Sequence, residues 1–239
     1  MRKMRIQGML VAAVGFMTSM AMAIPRSGEI ASPDYLLEPT VFQGFHLGFD
    51  ARTRFINDSY SWNDNSAVVG QYHAVVAYDI IPGLAIFGLL GVGRMDTDDA
   101  FGTNTEASPS YGAGVWANFF DRTLMTDFET IDRLRVQGSV QYSRCSTDIS
   151  DWNEILGNVT VGVVNSVRGN KSFWPVEITL YVGPSFSVVW SDLDTNQSSD
   201  VFGAIAGIEL LFDKVLSFGA SAEFYNNGSA YTGTAMIRF

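Results

Sequence analysis

The chain has 239 residues, of which 47% are hydrophobic, 13% aromatic and 17% charged, and its formal net charge is −10. This acidic balance disfavours nucleic-acid binding, which depends on contacts between basic side chains and phosphates. The single cysteine, Cys145, excludes an internal disulfide.

The first 23 residues have the pattern of a secretory signal peptide. Three of the first five residues are basic, an apolar run covers 9–17, and Ala21-Met22-Ala23 supplies the small residues of a cleavage site. The apolar run is too short to span a bilayer as a helix. We therefore expect export by the Sec pathway with cleavage after Ala23, which leaves 239 − 23 = 216 residues.

Residues 41–239 predict a series of β-strands, because apolar and polar residues alternate with a period of two. No later stretch is long and apolar enough for a membrane-spanning helix. Ten segments separated by turn-rich stretches are expected at 41–56, 67–80, 84–94, 110–120, 133–145, 157–168, 176–190, 201–212, 215–225 and 231–239. Counts of eight or twelve strands remain alternatives, since boundaries taken from a pattern err by several residues.

The segments differ in how well their faces are defined. In 133–145 every second residue from Arg133 to Ser143 is polar, and the residues between them are apolar or small. In 84–94 both faces are apolar, which leaves the orientation of this strand open.

The connection after the fourth segment, 121–132, predicts a short helix. Leu124, Phe128 and Ile131 have helical spacing, and Thr126 with Glu129 has the spacing of a capping box.

The last nine residues carry the most specific motif. Apolar, small or aromatic residues alternate back from Phe239 through Ile237 to Tyr231. A terminal aromatic residue on such a strand resembles the last strand of Gram-negative outer-membrane β-barrels. The resemblance covers the rest of the mature chain in pattern only. It implies that Tyr231, Ile237 and Phe239 form a signal read by the barrel-assembly machinery.

The same resemblance implies an all-β fold, a transmembrane antiparallel up-and-down β-barrel. The expected organisation is a signal peptide at 1–23, an N-terminal periplasmic segment at 24–40 and an outer-membrane barrel at 41–239. An even strand number places both termini in the periplasm. A soluble β-sandwich is the alternative, although its strands are usually shorter.

Four segments, 57–66, 95–109, 146–156 and 191–200, are then expected to be extracellular loops. They contain twelve acidic residues and no lysine or arginine. Charge of one sign produces a negative field that attracts cations. The acids are Asp58, Asp64, Asp96, Asp98, Asp99, Glu106, Asp148, Asp151, Glu154, Asp192, Asp194 and Asp200.

Two smaller signals lie in these loops. Asp192, Asp194 and Asn196 have the spacing that starts a calcium-binding loop, but the glycine and the final glutamate of that motif are missing. Trp62, Trp152 and Trp190 are expected in an interfacial aromatic girdle, with a sugar-stacking surface as the alternative.

Polar residues of the alternating segments are predicted to face the lumen, where charges must be paired or hydrated. They form either a salt-bridge plug or a water path, and a closed barrel stays open beside a narrow channel. The predicted lumen-lining residues are His46, Asp50, Arg52, Arg54, His73, Arg135, Gln137, Glu177, Glu209, Glu223 and Arg238.

Catalysis is not expected. The only two histidines, His46 and His73, are predicted to face inward, where they could lie near each other, and no G-x-S-x-G motif is present. The functional hypothesis is a narrow porin-like channel whose acidic loops favour cations or bridge divalent ions. The alternative is a non-conducting adhesion or structural protein that binds partners through its loops.

The expected partners are outer-membrane lipid, lipopolysaccharide and the barrel-assembly machinery, without nucleic acid. No cofactor is expected beyond loosely bound calcium or magnesium, and the sequence leaves the oligomeric state open.

Overall fold

The structure, a computed structural model, contains ten β-strands among the residues that it describes. It describes residues 44–58, 65–81, 83–97, 106–124, 131–146, 151–166, 175–191, 202–212, 215–226 and 228–239. The predicted signal peptide and the segment 24–40 lie outside the described residues. The strands are β1 (Phe45–Asp58), β2 (Asn65–Ile81), β3 (Leu84–Thr97), β4 (Ser108–Leu124), β5 (Ile131–Ser146), β6 (Asp151–Ser166), β7 (Glu177–Ser191), β8 (Phe202–Phe212), β9 (Leu216–Tyr225) and β10 (Gly228–Arg238).

The strands close into a barrel. Each strand pairs antiparallel with the next along the chain, and β1 pairs with β10 from His46↔Arg238 to Ile56↔Gly228. Closure leaves no strand edge without a partner. The prediction of an antiparallel up-and-down barrel with ten strands is confirmed. Among the described residues, no helix is long and apolar enough to cross a membrane.

Burial follows the predicted period of two. Along β2, Gln71, His73 and Val75 are buried inside the barrel, whereas Tyr72 and Ala74, which lie between them, are exposed on its outer surface. Exposed apolar side chains continue around the outer surface on the other strands. They include Leu47, Phe49, Ile86, Leu90, Val115, Val140, Val161, Leu180, Val182, Phe202, Ile208, Phe224 and Ile237.

The two ends of the barrel differ in what they carry. β1 begins and β10 ends at the same end of the barrel, here called the terminal end. The Phe239 amide donates to the Phe45 carbonyl there at 3.0 Å. The opposite end, the distal end, carries the connections 59–64, 98–107, 147–150, 192–201 and 226–227. Gly83 makes the tight β2–β3 turn at the terminal end with a φ of 91°, a left-handed conformation that glycine adopts without strain.

Several predicted boundaries are wrong. β6 begins at Asp151, not at 157, so most of the predicted loop 146–156 is strand. The ends of the predicted helix are also strand, because Leu124 pairs with Asp132 in the β4–β5 ladder. Ladder pairing outweighs the local helical spacing there. Residues 125–130, the middle of that prediction, lie outside the described residues.

Candidate functional site in the barrel interior

A network of two arginines and two glutamates crosses the lumen. Arg52 on β1 donates through Nη1 to Glu154 Oε2 at 2.5 Å and through Nη2 to Glu223 Oε2 at 2.9 Å. Arg54, two residues further along β1, donates to Glu154 Oε1 at 2.5 Å. The four charges sum to zero, which meets the requirement that buried charges be paired.

Neighbouring polar groups complete this network. The Ser187 hydroxyl donates to Glu154 Oε1 at 2.7 Å, and the Tyr225 hydroxyl donates to Glu223 Oε2 at 2.9 Å. The Arg54 guanidinium lies 5.0 Å from the centre of the Tyr225 ring, within the range of a cation–π contact. β1, β6, β7 and β9 each contribute side chains, so the network ties opposite walls of the barrel together.

Glu154 corrects the sequence prediction. It was expected among the acids of an extracellular loop, yet it lies on β6 and is buried inside the barrel. Trp152 also faces inward, which contradicts its assignment to an interfacial girdle. The alternation Trp152, Glu154, Leu156 was a signal for a strand, but the polar composition of 146–154 favoured a loop.

Apolar side chains occupy the lumen on both sides of the network. One cluster lies toward the distal end and the other toward the terminal end, and the predicted polar lining did not include them. The second cluster also settles the orientation of β3, since its Ala85, Phe87 and Leu89 face inward. The distal cluster is Val69, Cys145, Trp152 and Val189 with Ile56 and Met95 packed against it. The terminal cluster is Val75, Ala77, Ala85, Phe87, Leu89, Trp116 and Met236.

Asp50, His73 and Ser110 lie side by side on the inner face of the wall, and His73 is hydrogen-bonded to Ser110 only. His73 Nε2 lies 2.8 Å from Ser110 Oγ, and His73 Nδ1 lies 3.6 Å from Asp50 Oδ2. The side chain of His73 reaches across β3 at Gly91, which pairs with both His73 and Ser110 and has no side chain. The Ser110 hydroxyl donates to the Arg144 carbonyl at 3.1 Å. Ser110 is 0% exposed, so this serine has no contact with solvent.

The two histidines are not neighbours. His46 pairs in register with Ala77, four residues from His73 along β2, and its Nε2 lies 3.1 Å from Asp79 Oδ2. Arg238 Nη2 also approaches this aspartate, at 3.5 Å. His46 and Arg238 therefore belong to a polar group around Asp79 near the terminal end, apart from His73.

The remaining predicted lumen residues also face inward. Near the terminal end Arg133 donates to Glu177 at 2.5 Å, and Arg135 donates to Asp121 at 2.9 Å. Gln137 on β5 and Glu209 on β8 are buried.

A cavity of about 40 Å³ remains beside the central network, with Asp50, Arg52, Asn158, Glu223 and Thr232 in its wall. This volume is sufficient for a few ordered water molecules. Within the described part of the chain, no group of three or more histidine, cysteine or acidic side chains is arranged to hold a metal ion. The weak calcium candidates Asp192, Asp194 and Asn196 lie outside the described residues.

The other predicted loop acids have mixed positions. Asp96 lies on β3 and accepts from Arg94 Nε at 2.8 Å, whereas Asp151 lies on β6 and accepts from Arg144. Glu106 is exposed, and Asp58 ends β1. The acids Asp64, Asp98, Asp99, Asp148, Asp192, Asp194 and Asp200 lie outside the described residues, as does Trp62.

Aromatic residues stand on the outer surface near both ends. Toward the distal end, Tyr142 stacks on Trp190 with ring centres 6.3 Å apart, and its hydroxyl donates to Asn153 Oδ1 at 2.9 Å. Of the predicted assembly residues, Ile237 and Phe239 are exposed, and Tyr231 makes an edge contact with Phe55 at 5.9 Å.

A closed antiparallel barrel that is apolar outside and charged inside is the inverse of a soluble protein. Its outer surface suits lipid, and closure satisfies every strand edge where water is absent. The chain is therefore an outer-membrane β-barrel protein that spans the membrane with its strands.

No protein-family model matches the chain, and no curated protein matches it. Among solved structures, the barrel is similar to the transport unit of the autotransporter AIDA-I from Escherichia coli, with 12% identity over 85% of this chain and 93% of that one and a TM-score of 0.39. Neisserial surface protein A matches with 15% identity over 82% and 97% of the two chains and a TM-score of 0.32. The TodX monoaromatic hydrocarbon channel matches with 10% identity over 92% and 98% and a TM-score of 0.29. These likenesses concern the barrel fold alone.

Proposed function

We propose that this barrel is closed in the state described and acts as a surface protein that binds partners through the connections at its distal end. The observation that carries the proposal is the inaccessibility of the central network. Arg52, Glu154 and Glu223 are 3%, 1% and 2% exposed. Side chains that line a water-filled channel remain accessible to water, whereas these three are buried within the lumen.

The apolar clusters support the same conclusion. An ion that crosses the lumen must pass Trp152 and Val189 in the distal cluster and Phe87 and Trp116 in the terminal cluster. Narrow apolar constrictions exclude water and so block ions. A charged network flanked by two apolar clusters is therefore a poor conduction path.

The orientation follows from the even strand number. β1 begins and β10 ends at the terminal end, which in bacterial barrels faces the periplasm. We accordingly assign the protein to the bacterial outer membrane with the distal end outside, after export through the signal peptide predicted at 1–23.

The distal connections supply the binding surface. These connections contain acids but no lysine or arginine. Their negative charge attracts cationic surfaces, or binds divalent ions that in turn bind phosphates. Arg94 and Arg144 at the strand ends partly offset this field by pairing with Asp96 and Asp151. The field therefore depends mainly on the other acids.

Planar-bilayer recording of the refolded protein tests the closed lumen. Stepwise conductance from the wild-type protein would overturn it, and a silent bilayer supports it. Binding of the reconstituted protein to a cationic surface tests the second half. Neutralising Asp98 and Asp99 together with Glu106 should weaken that binding, whereas neutralising Asp213, which follows β8 in the sequence, should leave it unchanged.

A narrow cation channel is the second candidate, and the cavity beside Arg52 is the observation that favours it. Conduction would require Arg52 to leave Glu154 and Glu223 and the side chains of the apolar clusters to move aside. A Glu154→Gln variant that conducts while the wild type is silent would support such a gated state.

We also propose that the protein is not an enzyme, although Asp50, His73 and Ser110 lie side by side on the inner face of the wall. Ser110 has no exposed surface, and the distance from His73 Nδ1 to Asp50 is beyond a hydrogen bond. Labelling of Ser110 in the folded protein by a fluorophosphonate would contradict this proposal.

A further inference from the structure

An apolar trough runs along the outer surface over β3 and β4. Its volume is about 670 Å³. Gly88 on β3 and Ala113 on β4 form the floor, and they are direct partners in the β3–β4 ladder. A Cβ atom placed on Gly88 would meet no other atom within 4 Å, which shows how open the floor is.

Larger side chains on the flanking strands form the two walls. Val76 on β2 pairs with Gly88, and Tyr142 on β5 pairs with Ala113, so these four residues form one row across the trough. The next row toward the terminal end is Tyr78, Ile86, Val115 and Val140. Tyr142 leans away from the trough, because its ring stacks on Trp190 and its hydroxyl bonds to Asn153.

A cation stands at the distal end of this trough. Arg144 lies two residues beyond Tyr142 on the same wall and pairs in register with Tyr111. Its side chain is 37% exposed on the outer surface, and only Nη2 is bonded to Asp151. A guanidinium has five N–H donors, so Arg144 has donors left for a second anion.

We propose that this trough binds one acyl chain of a membrane lipid whose phosphate group is held by Arg144. The two features fit one molecule, because an apolar channel and a cation at its end match the tail and the anionic head of a single lipid. Trp190 and Tyr142 lie near the cation, at the depth where aromatic side chains mark the membrane interface. Arginine is suited to the head group since its planar fork matches phosphate geometry. The site does not depend on whether the lumen conducts.

Native mass spectrometry of the refolded protein in detergent tests the site. The probes are a phosphatidylglycerol and a phosphatidylcholine with the same two palmitoyl chains, and inorganic phosphate alone. We expect the protein to retain one phosphatidylglycerol in preference to phosphatidylcholine and to retain no inorganic phosphate. Equal retention of the two lipids would overturn the role of Arg144, and retention of phosphate alone would overturn the role of the trough.

Two variants separate the tail site from the head site. Gly88→Leu places a side chain on the open floor, where a Cβ meets no atom within 4 Å, and should abolish retention. Gly70→Leu, at an outward-facing glycine outside the trough whose Cβ contacts are no closer than 3.8 Å, should not. Arg144→Gln should lower retention about tenfold, the loss of one charge-assisted hydrogen bond. Arg144→Lys should restore part of it, and Arg122→Gln, at an exposed arginine near the terminal end, should have no effect.

Further outcomes keep the proposal falsifiable. Asp151→Asn removes an anion beside the phosphate and should raise retention. A dimer that Gly88→Leu dissolves would show that a second copy occupies the trough and would overturn the proposal. Retention that is unchanged in both Gly88→Leu and Arg144→Gln would overturn it as well.

Discussion

Arg52 on β1 and Glu154 on β6 are 102 positions apart in the sequence, yet their side chains meet inside the barrel at 2.5 Å. Glu154 also accepts from Arg54 and Ser187, so one carboxylate holds two guanidinium groups. The removal of one member of a buried charge network costs more than the network contributes, because the partners are left without compensation.

Glu154→Gln should therefore lower the free energy of unfolding by about 3–5 kcal/mol. Urea titration of the refolded protein in detergent measures this change. Asp151→Asn is the matched control, since it makes a closely related change on the same strand at a partly exposed pair, and it should have little effect. Similar losses in both variants would show that Glu154 is not a buried anchor.

The tryptophans should report which face of the wall they occupy. Trp152 lies in the lumen, whereas Trp190 faces outward and stacks on Tyr142. In proteins that keep one tryptophan each, lipids with brominated acyl chains should quench Trp190 and spare Trp152. A Trp116-only protein is the control, because Trp116 also faces inward. Equal quenching of Trp152 and Trp190 would refute the inward position.

Two glycines on β3 should respond differently to the same substitution. A Cβ on Gly91 would lie 1.8 Å from the Tyr72 carbonyl oxygen and 2.8 Å from His73 Cα, whereas Gly88 has open space. Gly91→Ala should lower the free energy of unfolding by about 1–3 kcal/mol, the range for overpacking, and Gly88→Ala should leave it nearly unchanged. Thermal or urea unfolding compares them, and equal stabilities would contradict the close β2–β3 approach.

Cys145 should be unreactive in the folded barrel. It is buried in the distal cluster against Val69, Trp152 and Val189. A membrane-impermeant maleimide should label it only after unfolding. The control is Cys145→Ser combined with Ala107→Cys, since Ala107 is exposed before β4 and should be labelled at once. Rapid labelling of native Cys145 would show that water enters the distal half of the lumen.

The strand pattern could be predicted from the sequence where one face is polar and the other apolar. β5 is the clearest case, because the residues from Arg133 to Ser143 alternate without interruption. β3 could not be oriented, since its inward side packs in an apolar cluster that a polar-lumen assumption does not foresee. The sequence pattern predicts the start of β6 too far along the chain, because Asp151 and Asn153 resemble loop residues, although both pair with β5.

The interior contacts needed more than the pattern. Alternation predicts that Arg52 faces inward but not which residue meets it, because the partner depends on how far the strands are staggered around the closed wall. Neither Glu154 nor the apolar clusters could be assigned without that geometry. The alignment of Asp50, His73 and Ser110 likewise depends on Gly91, which pairs in register with both His73 and Ser110.

The position of the partners of Arg52 has a consequence for assembly. β1 is made first, but the carboxylates that neutralise its arginines arrive on β6 and β9, and the β1–β10 seam forms only when the final strand is in place. A sheet that enters the membrane half-curled would present unpaired guanidinium groups to hydrocarbon, at a cost of several kcal/mol for each. Sealing of the seam and charge neutralisation therefore coincide, so insertion should be all-or-none, and a chain that lacks β9 and β10 should stall at the membrane surface.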